Sequence, residues 1–322
     1  MFLNVVLLIV GMALLVKGAD WFVSGSSAIA KALKIPPLII GLTLVSMGTS
    51  APEASVSINS AISGMNDMSI GNVVGSNIFN TLFILGVSSI IIPLSIGKDM
   101  KKYDIPIMVA LYGILLLFAF VITPLKLDIF ESAAFLLLFV GYTAFLIVRT
   151  KMENKKKVTV GESAAAPEKE KKPRPLWLCI ILAVVGLAGI IFGGDLVVDN
   201  ASAIAKALGM SEVLVGLTIV AVGTSLPELV TSIVASVKKE NDIAIGNVIG
   251  SNIFNIIFIL GLSSTISNLT LAPSTLTDML VMLSSGLIIF VIALFSKKMT
   301  RWQGVITVLL YIGYLSYIIV RN

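Results

Sequence analysis

Two carboxylic acids sit where charge is expensive. Glu53 lies in GLTLVSMGTSAPEASVSI (41–58) and Glu228 in GLTIVAVGTSLPELVTSI (216–233), both apolar enough to enter a bilayer. An ionised carboxylate at the bilayer centre costs about 2.5–3.5 kcal/mol on insertion scales, so each acid needs a compensating partner. Each glutamate ends a G-T-S-x-P-E run and is followed by a second polar motif within apolar sequence, GNVVGSNIFN at 71–80 and GNVIGSNIFN at 246–255. Together these motifs offer carboxylates, hydroxyls, amide oxygens and backbone carbonyls. With no histidine in the chain and one cysteine, Cys179, imidazole chemistry and an intrachain disulfide are excluded. An all-oxygen donor set suits a hard cation, Ca2+ before Mg2+, because Ca2+ accepts six to eight flexible ligands and sheds water more readily. The two glutamates neutralise one Ca2+ or two Na+, and mutually exclusive occupancy of one carboxylate pair is a physical basis for exchange.

The elements that must position these groups are transmembrane helices. The chain of 322 residues is 57% hydrophobic and only 13% charged, far from the roughly 25% charged residues of soluble domains. Spanning lipid then requires helices that satisfy their own backbone. Apolar runs at 2–32, 37–63, 69–95, 104–123 and 128–149, then 176–207, 212–237, 242–266, 276–296 and 302–320 give an all-α polytopic membrane protein of five plus five spans. Residues 1–150 and 176–322 form the two sets, and the Lys/Glu/Pro-rich stretch 151–175 is too polar to pack a core and reads as a linker. Pro52 and Pro227 lack an N–H and crowd the carbonyls of Gly48 and Gly223, so both G-T-S-x-P-E segments are expected to break their helices and free carbonyls toward a cavity.

The halves are copies. Adding 175 to the first half's numbering aligns Gly18–Asn80 with the second half without a gap, and about half the positions are identical. Five spans per copy is an odd number, so the second copy enters the membrane upside down. Charge agrees: with both termini outside, the cytoplasmic loops hold Lys31, Lys34, Lys98, Lys101, Lys102, Lys238, Lys239, Lys297, Lys298 and Arg301, against Lys126, Lys206 and Arg321 outside. The linker is then cytoplasmic. This topogenic excess accounts for the net charge of +5 without a nucleic-acid partner. On the third and eighth spans Asn72, Ser76 and Asn80, and Asn247, Ser251 and Asn255, recur every four residues and so face the Glu-bearing breaks. Asn72, Asn77, Asn247 and Asn252 fit helix packing and ion contact equally well. Asp20 and Asp195 also repeat, and Lys17 is within a turn of Asp20; a structural or gating role is expected for them.

The paired motifs, duplicated in inverted halves, resemble the α-repeats of the sodium/calcium exchanger branch of the calcium/cation antiporter superfamily. The resemblance covers both repeats and the ten-span layout, with broken helices at the ion site. It implies that Glu53 and Glu228 bind Ca2+ jointly with the carbonyls of Thr49 and Thr224. It also implies flanking Na+ sites, one using Ser50, Ser76 and Glu228 and the other Ser225, Ser251 and Glu53, with carbonyls at Ser46 and Ala221. Asn80 and Asn255 would face the central position. Some relatives in that branch, including potassium-dependent exchangers, carry Asp at one of these two places; Asn at both here is a departure that lowers the negative charge of the central position and leaves potassium coupling an open question. The implied function is exchange of Na+ for Ca2+ across the cell membrane by alternating access, with Ca2+ and Na+ as cargo and no cofactor. The rivals are a Ca2+/H+ or other divalent cation antiporter, a passive channel, and an intramembrane hydrolase using two carboxylates. An enzyme is disfavoured because each glutamate comes embedded in a cation-ligand set.

Overall fold

The structure is a computed structural model that describes residues 1–159, 175–210, 219 and 221–321. In chain order the first half forms α1 (Phe2–Leu33), α2 (Pro37–Thr49), α3 (Ala51–Ile62), α4 (Asn66–Ile91), α5 (Met100–Ile122) and α6 (Ile129–Thr159). The second half forms α7 (Leu176–Ala207), a short helical turn at Ala221–Gly223, α8 (Leu226–Val237), α9 (Asn241–Ile266), α10 (Pro273–Phe295) and α11 (Arg301–Arg321). Eight of these, α1, α4 to α7 and α9 to α11, are long and apolar enough to cross a membrane. Within the expected span 212–237, residues 212–218 and 220 lie outside the described residues, as does 160–174 of the expected linker.

Proline breaks both glutamate-bearing segments. Helix α2 stops at Thr49, Ser50 leaves the helix at φ −81°, ψ 7°, and α3 restarts at Ala51 with Pro52 in its first turn. Ser225 does the same at φ −91°, ψ 6° before α8, with Pro227 in the first turn. A missing N–H is harmless there, since first-turn N–H groups have no intrahelical acceptor.

Helices α1 and α7, equivalent under the 175-residue shift, pack against each other along glycine. A Cβ added at Gly11 would lie 3.0 Å from the Gly193 oxygen, one at Gly18 2.7 Å from the Gly186 oxygen, and one at Gly25 2.8 Å from the Cys179 oxygen. As the numbers rise in α1 they fall in α7, so the two helices are antiparallel. Each has 32 residues, about 48 Å at 1.5 Å per residue, which exceeds a hydrocarbon core of roughly 30 Å and calls for tilt.

Two small antiparallel ribbons tie the halves together. Strand β1 (Leu94–Ser95) pairs with β4 (Lys298–Met299), and β2 (Lys126–Leu127) pairs with β3 (Leu269–Thr270). Because β1 precedes α5 and β2 follows it, the ribbons lie at opposite ends of that helix.

Helix α6 runs to Thr159, past the expected end at residue 149. Six of the ten residues in its extension, TKMENKKKVT, are Lys, Glu or Met, which are good helix formers, and it is anchored by Arg149. The Arg149 guanidinium donates to both carboxylate oxygens of Asp104 on α5 at 2.9 and 3.1 Å and to Glu153 one turn on at 3.2 Å.

Candidate ion-binding site

Helices α4 and α9 are the most buried of the eight long helices, and the two proline breaks close against them. Glu53 and Glu228 occupy the first turns of α3 and α8 and are both fully buried. A helix N-terminus carries partial positive charge from its unpaired N–H groups, which favours a carboxylate there.

Each carboxylate is bonded by the serine of the opposite break. Ser50 Oγ donates to Glu228 Oε1 at 2.8 Å, and Ser225 Oγ donates to Glu53 Oε1 at 2.8 Å. These contacts exchange partners under the shift of 175, so the two acids share one pocket. Ser76 Oγ lies 3.2 Å from Ser225 Oγ, joining the Glu53 group. Ser251 Oγ is 3.4 Å from both Glu228 Oε1 and the Ser46 carbonyl, joining the Glu228 group. The hydrogen bonds therefore exchange Ser76 and Ser251 between the two flanking sets relative to the grouping implied by the resemblance. The cause is packing: Gly250 brings α9 so close to α2 that a Cβ there would meet Leu42 Cα at 2.7 Å, which seats the neighbouring Ser251 on Ser46.

Thr49 is buried, and its hydroxyl lies 3.1 and 3.3 Å from the Val45 and Ser46 carbonyls and 3.0 Å from Asn247 Oδ1. Thr224 stands in the turn before α8, and its Oγ1 is buried without a hydrogen-bond partner among the described residues. Ala221 begins the short helical turn, and its side chain is outside the described set.

Asn72 and Asn247 brace the breaks from behind. Asn72 Nδ2 donates to the Glu53 carbonyl at 3.2 Å and to Ser57 Oγ at 2.9 Å; Asn247 Nδ2 donates to the Glu228 carbonyl at 3.4 Å and to Ser232 Oγ at 3.0 Å. Asn77 and Asn252 likewise bond protein groups, so all four asparagines left open by spacing alone are engaged in positioning the helices.

On the helices that carry the two motifs, Glu53 Oε2, Glu228 Oε2, Asn80 Oδ1 and Asn255 Oδ1 are buried acceptors without a donor among the described residues. Leaving one such atom unpaired costs about 1–3 kcal/mol, more when it is charged. All four are oxygens of the kind a hard cation takes as ligands.

Sequence reasoning missed one polar cluster. Asp20 pairs with Lys17 at 3.4 Å, but its shorter ion pair, 2.5 Å, is with Lys238 in the turn between α8 and α9. Lys238 also bonds the Asp20 carbonyl and Ser24 Oγ, and Ser27 Oγ donates to Glu240 at 2.6 Å. The near-neighbour rule favoured Lys17, while the lysine 218 positions away became adjacent only through folding.

Fold and site together define a multi-pass membrane cation transporter. The chain matches the family model described as sodium/calcium exchanger protein over residues 3–148 and 178–320, and it belongs to that family. It is 38% identical to the putative antiporter CaxA of Alkalimonas amylolytica over 98% of both chains. It is 35% identical to the sodium/calcium exchanger MaX1 of Methanosarcina acetivorans over 97% of both. Among solved structures it resembles the sodium-calcium exchanger NCX_Mj, in the form soaked with zero Na+ and Ca2+, with a TM-score of 0.84 and 30% identity, covering 98% of this chain and 99% of that one. By membership the chain is a cation antiporter.

Proposed function

We propose that the protein exchanges Na+ for Ca2+ by alternating access at the Glu53–Glu228 pocket. The observation that carries this reading is the crossed pair of serine–carboxylate bonds, which ties the two acids together and leaves the second oxygen of each, like Asn80 Oδ1 and Asn255 Oδ1, buried without a donor among the described residues. Ca2+ would be held there by both carboxylates and the Thr49 and Thr224 carbonyls. Two Na+ would flank it, one among Ser50, Ser251, Glu228 and the Ser46 carbonyl, the other among Ser225, Ser76, Glu53 and the Ala221 carbonyl. The carboxylates serve either cargo but not both, and this competition couples the fluxes.

The scaffold is two inverted five-span repeats, 1–150 and 176–322, joined by 151–175. Support comes from the antiparallel run of α1 and α7 and from the two interrepeat ribbons at opposite ends of α5. The termini lie outside and the linker in the cytoplasm, a reading that rests on the loop lysines.

Sodium-gradient-driven 45Ca2+ uptake into proteoliposomes, with equal pH on both sides, tests the proposal. Uptake that requires the gradient and is lost in Glu53→Gln and Glu228→Gln is expected. Uptake driven by a proton gradient without Na+ would replace Na+ coupling with the Ca2+/H+ alternative, and flux independent of any counter-ion would make the protein a channel.

A further inference from the structure

We infer that Asn77, Thr81 and Asn252 are positioning residues that set the polarity of the central asparagines, forcing the carbonyl ends of Asn80 and Asn255 toward the ion. The inference rests on the proposed ion site and adds the residues that determine its sign. An asparagine amide has an acceptor end and a donor end of nearly the same shape, so a cation pocket built on asparagine works only if something prevents the NH2 group from turning inward.

Two chains of hydrogen bonds do this, each anchored at a backbone carbonyl, a group that can only accept. In the first, Thr81 Oγ1 donates to the Asn77 carbonyl at 2.7 Å. Its single proton is thereby spent, so Thr81 Oγ1 can only accept from Asn252 Nδ2, which lies 2.9 Å away. The same Nδ2 faces Met108 Sδ at 3.5 Å, a weak acceptor that suits its second proton. Asn252 must then present Oδ1 to Asn80, which it meets through Asn80 Nδ2 at 3.2 Å. With its nitrogen committed, Asn80 turns Oδ1 away, and that oxygen is buried without a partner among the described residues. In the second chain Asn77 Nδ2 donates to the Asn252 carbonyl at 3.1 Å, so Asn77 Oδ1 is free to accept from Asn255 Nδ2 at 3.0 Å. Asn255 Oδ1 is left buried and unpartnered in turn.

Flipping Asn252 would set its oxygen against a Thr81 oxygen that has no proton to give and its nitrogen against the nitrogen of Asn80. Every member of both chains is fully buried, so water cannot relieve the mismatch. The relay is asymmetric. Thr81 has Ile256 as its counterpart under the shift of 175, so only the first chain passes through a hydroxyl. Tyr112, whose hydroxyl is 3.4 Å from Thr81 Oγ1, closes the far side.

The test measures 45Ca2+ binding to purified protein for Thr81→Val, Thr81→Ser, Asn80→Ala and the double variant Thr81→Val/Asn80→Ala. Valine keeps the volume and removes the hydroxyl; serine restores it. Thr81→Val is expected to weaken Ca2+ binding about tenfold, the scale of one misoriented buried polar group, while Thr81→Ser binds like the parent. In the Asn80→Ala background Thr81→Val should cost nothing further, because Thr81 acts only through the Asn80 amide. Parent-like binding by Thr81→Val, or an equal loss with and without Asn80, would overturn the inference. Should Thr81→Val not fold, Asn77→Ala with and without Asn255→Ala asks the same question of the second chain. A parent protein that binds no Ca2+ would instead remove the proposed function.

Discussion

Gly250 gives the sharpest structural test, because the space it leaves is measurable. A Cβ at this position would meet Leu42 Cα at 2.7 Å, Ser46 Oγ at 2.8 Å and the Leu42 carbonyl at 2.9 Å. Ordinary contact begins at 3.4 Å, so Gly250→Ala must move α2 away from α9 by about 3.4 − 2.7 = 0.7 Å. The Leu42 obstacles are backbone atoms, which no rotamer change can relieve. Overpacking of this kind costs about 1–3 kcal/mol. The shift acts directly on the pocket, since Ser251 to the Ser46 carbonyl, already 3.4 Å, and Thr49 to Asn247 Oδ1, 3.0 Å, both bridge these helices. We expect a lower unfolding temperature and weaker Ca2+ binding, by about tenfold or more given that displacements near 1 Å cost up to about a hundredfold in aligned sites. The control is Gly141→Ala on the exposed face of α6, where no described atom lies within 4 Å of the new Cβ. That change should be neutral or stabilising by up to about 1 kcal/mol, because alanine is the better helix former. Thermal unfolding in detergent and 45Ca2+ binding read both quantities. If Gly250→Ala matches the parent in both, the close approach of α2 and α9 is not what builds the site.

Four further outcomes are expected. Ser225→Ala should impair Na+-driven uptake more than Ser50→Ala, because Glu53 Oε1 then loses its 2.8 Å serine donor while Glu228 Oε1 keeps Ser251 at 3.4 Å; parallel initial-rate curves against Na+ decide it. Arg149→Met should destabilise by about 3–5 kcal/mol by stranding the fully buried Asp104, and Arg149→Met/Asp104→Leu should recover much of this in thermal unfolding. Lys238→Met should cost under about 1 kcal/mol, since its ion pair with Asp20 is partly exposed at 28% and 36%, and the loss should shrink in high salt. Lys239 holds φ +64° where its counterpart Gly64 holds +72°, so Lys239→Gly should raise the unfolding temperature by relieving a left-handed conformation that costs a side-chain-bearing residue about 1 kcal/mol.

How much of this was readable beforehand follows from what duplication encodes. Sliding the chain by 175 residues exposed the paired glutamates, the proline breaks and the serines around them, because equivalent positions keep the same residue types. Hydropathy placed the long helices for the same reason it places them generally: lipid leaves the backbone no alternative. A shift in numbering, however, says which residues correspond and not which ones touch. In two interlocked copies the contact of a residue is the counterpart of its neighbour, so Ser50 meets Glu228, as the resemblance implied, and Ser225 meets both Glu53 and Ser76.

The features that spacing missed are those where the copies differ. Thr81 faces Ile256 in the alignment, Lys238 faces Ser63, and neither could be flagged by repetition. Yet Thr81 decides which end of Asn252 meets Asn80, and Lys238 ties α1 to the turn beyond α8. A perfectly symmetric pocket would present the same arrangement to both sides of the membrane and give neither direction a preference. Departures from the repeat at buried polar positions, Ser46 against Ala221 and Thr81 against Ile256, are therefore where the paired motifs lose their two-fold symmetry.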